Sequence, residues 1–194
     1  MVQHKKVILG SSSPRRQELL SKLGVDYKIQ VTGIDETYPP QMSPYEVPEY
    51  LARLKGDAFE GTIDEETCVI TSDTVVIYHD RILGKPNDAT DALSMILELS
   101  NKEHYVATGV CIQFKNRKSS FSSISKVFFD EISEAEARYY IDTFQPLDKA
   151  GSYGIQEWIG QAKISKIEGC FYNIMGLPLN ALYNKLIEEK VLTF

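Results

Sequence analysis

Residues 68–78 read CVITSDTVVIY, and seven of these eleven are Val, Ile or Thr. A run so rich in β-branched side chains is predicted to be a strand buried on both faces, so the chain must fold around a covered central sheet. Asp73 stands in the middle of that run. An isolated buried carboxylate is very costly, so Asp73 must be paired, hydrogen-bonded or metal-bound, or else mark the strand's end and cap a turn. Its neighbours Ser72 and Thr74 add two hydroxyls, which suit an active edge better than a core.

The rest of the pattern alternates strands with helices. KKVIL (5–9) is a short apolar strand, and a helix follows it with Leu19, Leu20 and Leu23 on one face and Gly24 at its end. YKIQVTG (27–33) alternates as a second strand, and IDETYPPQMSP is a loop. A helix is predicted from Val47 to about Phe59, with Pro48 tolerable only in its first turn. HDR (79–81) turns the chain into ILGKP, and DATDALSMILELS (88–100) has helical spacing with Asp at its N-terminal end. A long hairpin turning near Asn116 comes next, then a helix over 133–144 with the Ser133–Glu136 capping-box pattern. QPLDKAGSYGIQ (145–156) is a loop, AKISKIEG a strand, and the chain ends in a helix after MGLPLN. These elements predict an α/β protein with a mixed sheet, one domain over residues 1–194 divided into two lobes.

GSSSPRRQELL (10–20) carries an electrostatic conflict. Ser13 reads as an N-cap and Pro14 as the first helical residue, which puts Arg15 and Arg16 at the positive end of the helix dipole. An anion bound there removes the conflict. Other candidates are dispersed. Lys85 lies in LGKPND, where Gly84 and Pro86 hold a tight turn, and Lys55 follows LAR on a helix. Glu36 sits in an acidic loop, a commonplace setting. In DKAGSYGIQ, two glycines permit close backbone approach to a ligand, and the Gln156 amide can both donate and accept. His4, His79 and His104 share no ligand spacing, so any chemistry falls to carboxylates and cations, a set suited to metal-assisted attack at a phosphoryl centre.

Composition narrows the partners. A net charge of −6 argues against stable nucleic-acid binding, which needs a basic face. No apolar run approaches the roughly 18 residues of a membrane span, and MVQHKKVILG has no signal-peptide core. Cys68, Cys111 and Cys170 lack metal-type spacing and are expected to be small buried hydrophobes in a reducing cytoplasm.

SSSPRRQELLSKLG, SDTVV, LGKP, DKAGSYGIQ and GLPL, in this order, closely resemble the Maf family of nucleoside triphosphate pyrophosphatases, and within it the branch acting on dTTP and UTP. The resemblance runs from about Val7 to the final helix. It implies a two-lobed α/β fold of the Maf and inosine triphosphatase kind, with an elongated mixed sheet and a nucleotide in the central cleft. It also implies hydrolysis to nucleoside monophosphate and pyrophosphate with a divalent cation, Mg²⁺ or Mn²⁺. By the same resemblance Asp73 is the proton acceptor that activates water. Arg15, Thr74 and Gln156 govern pyrimidine preference, Ser13, Arg16, Lys55 and Lys85 contact phosphates, and Glu36 supports the metal beside Asp73. A homodimer is compatible with it. The chain departs from the family in YLARLKGDA around Lys55 and in Glu157–Trp158 after YGIQ. Two alternatives remain at this stage: a nucleotide-binding regulator of septum formation without turnover, and the same reaction on other modified nucleotides.

Overall fold

The computed structural model describes residues 1–194, and the first half of the chain winds as strand–helix–strand units. After β1 (Val2–Gln3), β2 (Lys6–Leu9) leads into α1 (Pro14–Lys22), which returns through β3 (Tyr27–Ile29). Pro14 takes the first helical position, where its missing N–H is not needed, and Gly24 ends the turn at φ 71°. The predicted strand over 27–33 stops at Ile29, because only Tyr27 to Ile29 find partners on β2 and the chain then leaves the sheet. α2 (Val47–Asp57) keeps Pro48 in its first turn and lays Val47 and Leu51 on the sheet.

The β-branched run forms β4 (Thr67–Tyr78), a twelve-residue strand almost wholly buried. His79 and Asp80, both at positive φ (48° and 55°), make the tight turn into β5 (Arg81–Leu83), a short strand absent from the sequence reading. α3 (Ala89–Leu99) starts at Asp88, whose side chain accepts the N–H groups of Thr90 and Asp91. β6 (Glu103–Gln113) and β7 (Lys118–Phe129) are the predicted hairpin, and α4 (Glu134–Phe144) has its capping box in place. Two short 3₁₀ turns, Pro146–Asp148 and Ala150–Ser152, shape the loop that follows. The strand read over 162–169 is shorter than predicted: Trp158–Lys163 coil into α5, and β8 covers only Ile164–Glu168. α6 (Phe171–Met175), α7 (Leu179–Glu188) and β9 (Leu192–Thr193) complete the chain, with β9 antiparallel to β1.

The main sheet has the order β3-β2-β4-β6-β7-β8, with β5 beside β4. Pairing is parallel on the β2 side of β4 and antiparallel on the β6 side, as the mixed-sheet reading requires. One face packs against α1, α3, α4 and α7 through residues such as Leu20, Ile96, Tyr140 and Leu186. On the other face α2 closes a smaller cluster of Val47, Leu51, Val75, Ile77 and Ala107. Each such aliphatic side chain contributes about 1.5–3 kcal/mol on burial.

Alternation along β4 sends Thr71, Asp73, Val75 and Ile77 toward α2, and Ser72, Thr74 and Val76 toward the larger core. β2 covers one edge of β4 only as far as Ile70, and β5 covers it only from Val76. Between them, residues 71–75 have an open strand edge. Side chains from both faces of the sheet therefore reach a single cleft there.

Cys68 and Cys111 are fully buried, and burial pushes their thiols up to about 12 and about 11, which leaves them inert. Cys170 differs from the expectation, being partly exposed where the chain enters α6.

His104 is 1% exposed, with Nε2 2.7 Å from the Tyr153 hydroxyl and Nδ1 without a partner. Burial lowers its pKa from 6.5 to about 3. The unfolded chain takes up this proton below about pH 6.5 and the folded chain does not. Stability is therefore full above about pH 6.5 and falls as pH drops toward 3. Between pH 7.5 and 5.5 the wild type is expected to lose about 1.4 kcal/mol of stability that His104→Gln does not lose. Urea unfolding at both pH values checks this, and parallel losses in the two proteins would refute it.

Candidate active site

A cleft of about 690 Å³ opens over the unpaired edge of β4. Every sequence-predicted residue lines it: Ser13, Arg15, Arg16, Glu36, Lys55, Asp73, Thr74, Lys85 and Gln156. A second cavity of about 720 Å³ lies around Tyr45, Tyr78, His79 and Tyr105, and it contains none of them.

The carboxylate of Asp73 is satisfied by a cation rather than by a turn. Lys55 Nζ lies 2.6 Å from Asp73 Oδ1 and 3.1 Å from Glu36 Oε1. Lys55 reaches across from α2, and Glu36 reaches in from the loop between β3 and α2 with its side chain 56% exposed. Lys55 engages Oδ1 of Asp73 and no other side chain bonds that carboxylate, so Oδ2 is free to take a proton. Two carboxylates thus converge on one cation. No cluster of three or more His, Cys, Asp or Glu side chains exists that would form a complete protein cage for a metal. This donor set fits a hard ion such as Mg²⁺ or Mn²⁺, which binds through one or two carboxylates and takes its remaining oxygens from phosphates and water.

The arginine pair separates into two roles. α1 has no acidic residue in its first turn and no side-chain cap bond, and Ser13, Pro14, Arg15 and Arg16 at its N-terminus line the cleft, where an anion is favoured. Ser13 occupies the cap position without making the cap hydrogen bond; its own N–H donates to Ser11 Oγ at 3.2 Å, and its hydroxyl is left for a ligand. Arg16 is tied into the cleft floor. Its Nε donates to the Gly176 carbonyl at 2.9 Å, Nη2 to Thr74 Oγ1 at 3.0 Å and Nη1 to Ser11 Oγ at 3.4 Å. Burial lowers the Arg16 pKa, the nearby charges of Asp73 and Glu36 oppose this, and the guanidinium stays charged. Arg15 points to the opposite wall, with Nη1 3.2 Å from Asp148 Oδ2.

Thr74 is held from both sides. Thr108 donates to the Asn173 carbonyl at 2.9 Å, so the Thr74 hydroxyl must donate to Thr108, also at 2.9 Å, while accepting from Arg16. Thr74 therefore offers the cleft a fixed position and one remaining lone pair. Lys85 is exposed at the rim and makes no salt bridge; the Gly151 N–H donates to the adjacent Gly84 carbonyl at 3.0 Å and ties this turn to the 145–156 loop. Gln156 has a buried Oε1 with no hydrogen-bond partner. An orphaned acceptor in a cleft is an opening for a ligand donor.

Several contributing residues escaped the sequence reading. Ser11, Thr108 and Asn173 act through Arg16 and Thr74, and Lys149 is buried between Asp148 and Glu157 at 2.8 and 3.2 Å. Ser11 and Lys149 had visible cues, lying within the GSSSPRRQELL stretch and the glycine-containing loop, whereas Thr108 and Asn173 had none.

A model of the family described as "Maf-like protein" matches residues 6–189. A dTTP/UTP pyrophosphatase of Bacteroides thetaiotaomicron is 47% identical over 182 residues, covering 93% of this chain and 94% of the relative. A dTTP/UTP pyrophosphatase of Porphyromonas gingivalis is 48% identical over 184 residues, covering 93% and 92%. Among solved structures, the Ham1 protein of Staphylococcus aureus is 14% identical with a TM-score of 0.47, over 67% of this chain and 73% of that one. With the family model spanning nearly the whole length and relatives near half identity, the chain belongs to the Maf-like family.

Proposed function

We propose that the protein is a nucleoside triphosphate pyrophosphatase acting on dTTP and UTP, releasing the nucleoside monophosphate and pyrophosphate. The observation that carries the reading is the meeting of three features at the open edge of β4. These are a carboxylate with one free oxygen, an anion-receptive helix N-terminus with Arg15 and Arg16 in its first turn, and an unpartnered amide acceptor on the far wall. The relatives that share most of the chain carry the same activity in their names.

In this reading the triphosphate lies over the N-terminus of α1, where Ser13, Arg16, Lys55 and Lys85 surround it with donors. Asp73 accepts the proton of the attacking water through Oδ2. Cleavage falls on the bridge between the α and β phosphorus atoms, and pyrophosphate leaves with the bridging oxygen. Asp73 and Glu36 would hold a divalent cation, Mg²⁺ or Mn²⁺, which when bound neutralises charge on the phosphate oxygens. Arg15 and Gln156 stand at the base end and Thr74 fixes the floor between. Fixed cations and a fixed base supply the positioning on which phosphoryl chemistry depends. The chain is read as one domain of two lobes meeting at β4, placed in the cytoplasm. No helix is long and apolar enough to cross a membrane.

Incubation with UTP, dTTP, CTP and ATP in the presence of Mg²⁺ tests the proposal. Pyrophosphate and monophosphate are expected from UTP and dTTP. Orthophosphate as the product would point to a phosphatase, and UTP binding without any product would point to a regulatory sensor.

A further inference from the structure

Gln156 recognises nothing until its carboxamide is held in one of two orientations. Oxygen and nitrogen ends have nearly the same shape, but exchanging them converts an acceptor into a donor. A 4-oxo pyrimidine such as uracil presents an N3–H donor beside an O4 acceptor. A 4-amino pyrimidine presents N3 as an acceptor beside an N4 donor. The two bases therefore require opposite orientations of the same amide.

No hydrogen bond within the chain fixes the Gln156 carboxamide, and its buried Oε1 has no partner. Gly154 leaves a space that a Cβ would fill, and around that single point lie Gln156 Nε2 and Glu157 Oε1, each 3.0 Å away, with Glu157 Cδ at 2.8 Å. The donor end of the amide and the carboxylate thus border the same point over the Gly154 backbone, with no hydrogen bond between them, while the acceptor end, on a residue lining the cleft, is buried without a partner. Reversing the amide would turn its oxygen toward that negative charge.

The carboxylate is itself anchored. Glu157 Oε1 is 3.2 Å from Lys149 Nζ, and Glu157 Oε2 accepts from the Tyr140 hydroxyl. That hydroxyl also accepts the Gly154 N–H at 2.9 Å, so α4 grips both ends of the turn that carries Gln156. Burial, with the Glu157 bond adding to it, raises the Tyr140 pKa, which keeps the hydroxyl a donor. Lys149 is only 7% exposed and continues the alternation to Asp148 at 2.8 Å, and Asp148 to Arg15 at 3.2 Å. Burial opposes the Asp148 charge, yet Lys149 and Arg15 hold its carboxyl below the usual range.

Resting on the uracil-nucleotide reading above, we propose that Glu157, seated by Lys149 and Tyr140, is a positioning residue. It orients the Gln156 carboxamide and thereby sets the preference for 4-oxo over 4-amino pyrimidine triphosphates. The charge of Glu157, and not only its shape, is the operative property.

Glu157→Gln keeps the shape and removes the charge. The ratio of kcat/KM for UTP to that for CTP is expected to fall about tenfold, the effect of about 1.4 kcal/mol in differential binding. Tyr140→Phe keeps the buried ring, removes the seat, and is expected to narrow the ratio in the same direction. A merely structural loss would lower both substrates together. An unchanged ratio in a Glu157→Gln protein that melts within a few degrees of wild type overturns the proposal. If the wild type itself does not prefer UTP to CTP, the uracil reading fails instead. The seat is then judged in the ligand-free protein by exchange of the Gly154 amide, about tenfold faster in Tyr140→Phe if the network holds and unchanged if it does not.

Discussion

Asp73→Asn is expected to lower UTP turnover by about a thousandfold, within the range of 10² to 10⁴ that a positioned general base contributes. The substitution preserves the outline of the side chain and removes its capacity to accept a proton. It also removes one of the two anions facing Lys55, but Glu36 remains at 3.1 Å from that ammonium, so the lysine is not left unpaired. The fold should therefore survive, with a melting temperature within several degrees of wild type, and UTP binding should persist because Arg16, Ser13 and the α1 N-terminus are untouched. The measurement is pyrophosphate release at saturating UTP and Mg²⁺, alongside equilibrium binding of UTP to the variant. Retention of more than a tenth of wild-type turnover would remove Asp73 from the role of base. Binding lost together with turnover would assign it to substrate retention instead.

That prediction depends on a topological feature as much as on a residue type. Side chains at consecutive positions of a strand point to opposite faces, so Asp73 and Thr74 ordinarily could not serve one site. They do so because β2 pairs with β4 only as far as Ile70 and β5 pairs with it only from Val76, which exposes the edge of β4 between them. The helix after β2 then delivers its N-terminus to one side of the gap, and α2 delivers Lys55 to the other. The cations belong to different elements and lie far apart in sequence, yet they surround one opening. This explains how the proposed phosphate site is assembled without a glycine-rich phosphate loop.

Local chemistry made the larger elements of this fold legible in the sequence. The β-branched run, the Pro14 start and Gly24 stop of α1, the Asp88 cap and the Ser133–Glu136 box all specify their elements through neighbours within a few residues. What failed to show depends on distant partners. β1, β5 and β9 are two or three residues long and exist only because another strand lies beside them. α5 and α6 are too short to display a helical period, so the segment over 162–163 passed for strand. At the site, resemblance supplied the residues that line the cleft, all nine of which the structure brings together. Their supporting partners could not be read: nothing in the sequence says that Thr108 accepts a hydrogen bond from Thr74 or that Tyr140 grips Gly154. Those are long-range bonds, and a chain pattern carries no record of them. The Glu157 departure after YGIQ was visible as an irregularity, but its meaning required the positions of Lys149 and Tyr140.

Gly109→Ala should be among the most destabilising single substitutions in the molecule, costing about 3 kcal/mol or more. Gly109 lies on β6 directly opposite Asp73. A Cβ there would stand 2.2 Å from the Glu49 nitrogen and 2.3 Å from the Pro48 carbonyl carbon and oxygen, all of them backbone atoms of α2. No side-chain rotation relieves such contacts, so the helix must lift by about an ångström or the sheet must bend, and closely packed interiors resist both. Lifting α2 withdraws Val47 and Leu51 from their cluster with Val75, Ile77 and Ala107, and it carries Lys55 away from Asp73. One methyl group is therefore expected to reduce stability and activity together. At about 2–4 °C per kcal/mol for a chain of this size, the melting temperature should fall by about 6–12 °C. Pyrophosphate release by the fraction still folded should fall as well, because the Lys55–Asp73 distance of 2.6 Å depends on how deeply α2 sits. Gly33→Ala is the matched control, since nothing lies within 4 Å of the position its Cβ would take. A Gly109→Ala protein melting within 2 °C of wild type would show that α2 can ride over the sheet freely, and that the closeness of helix to strand is not what sets Lys55 on Asp73.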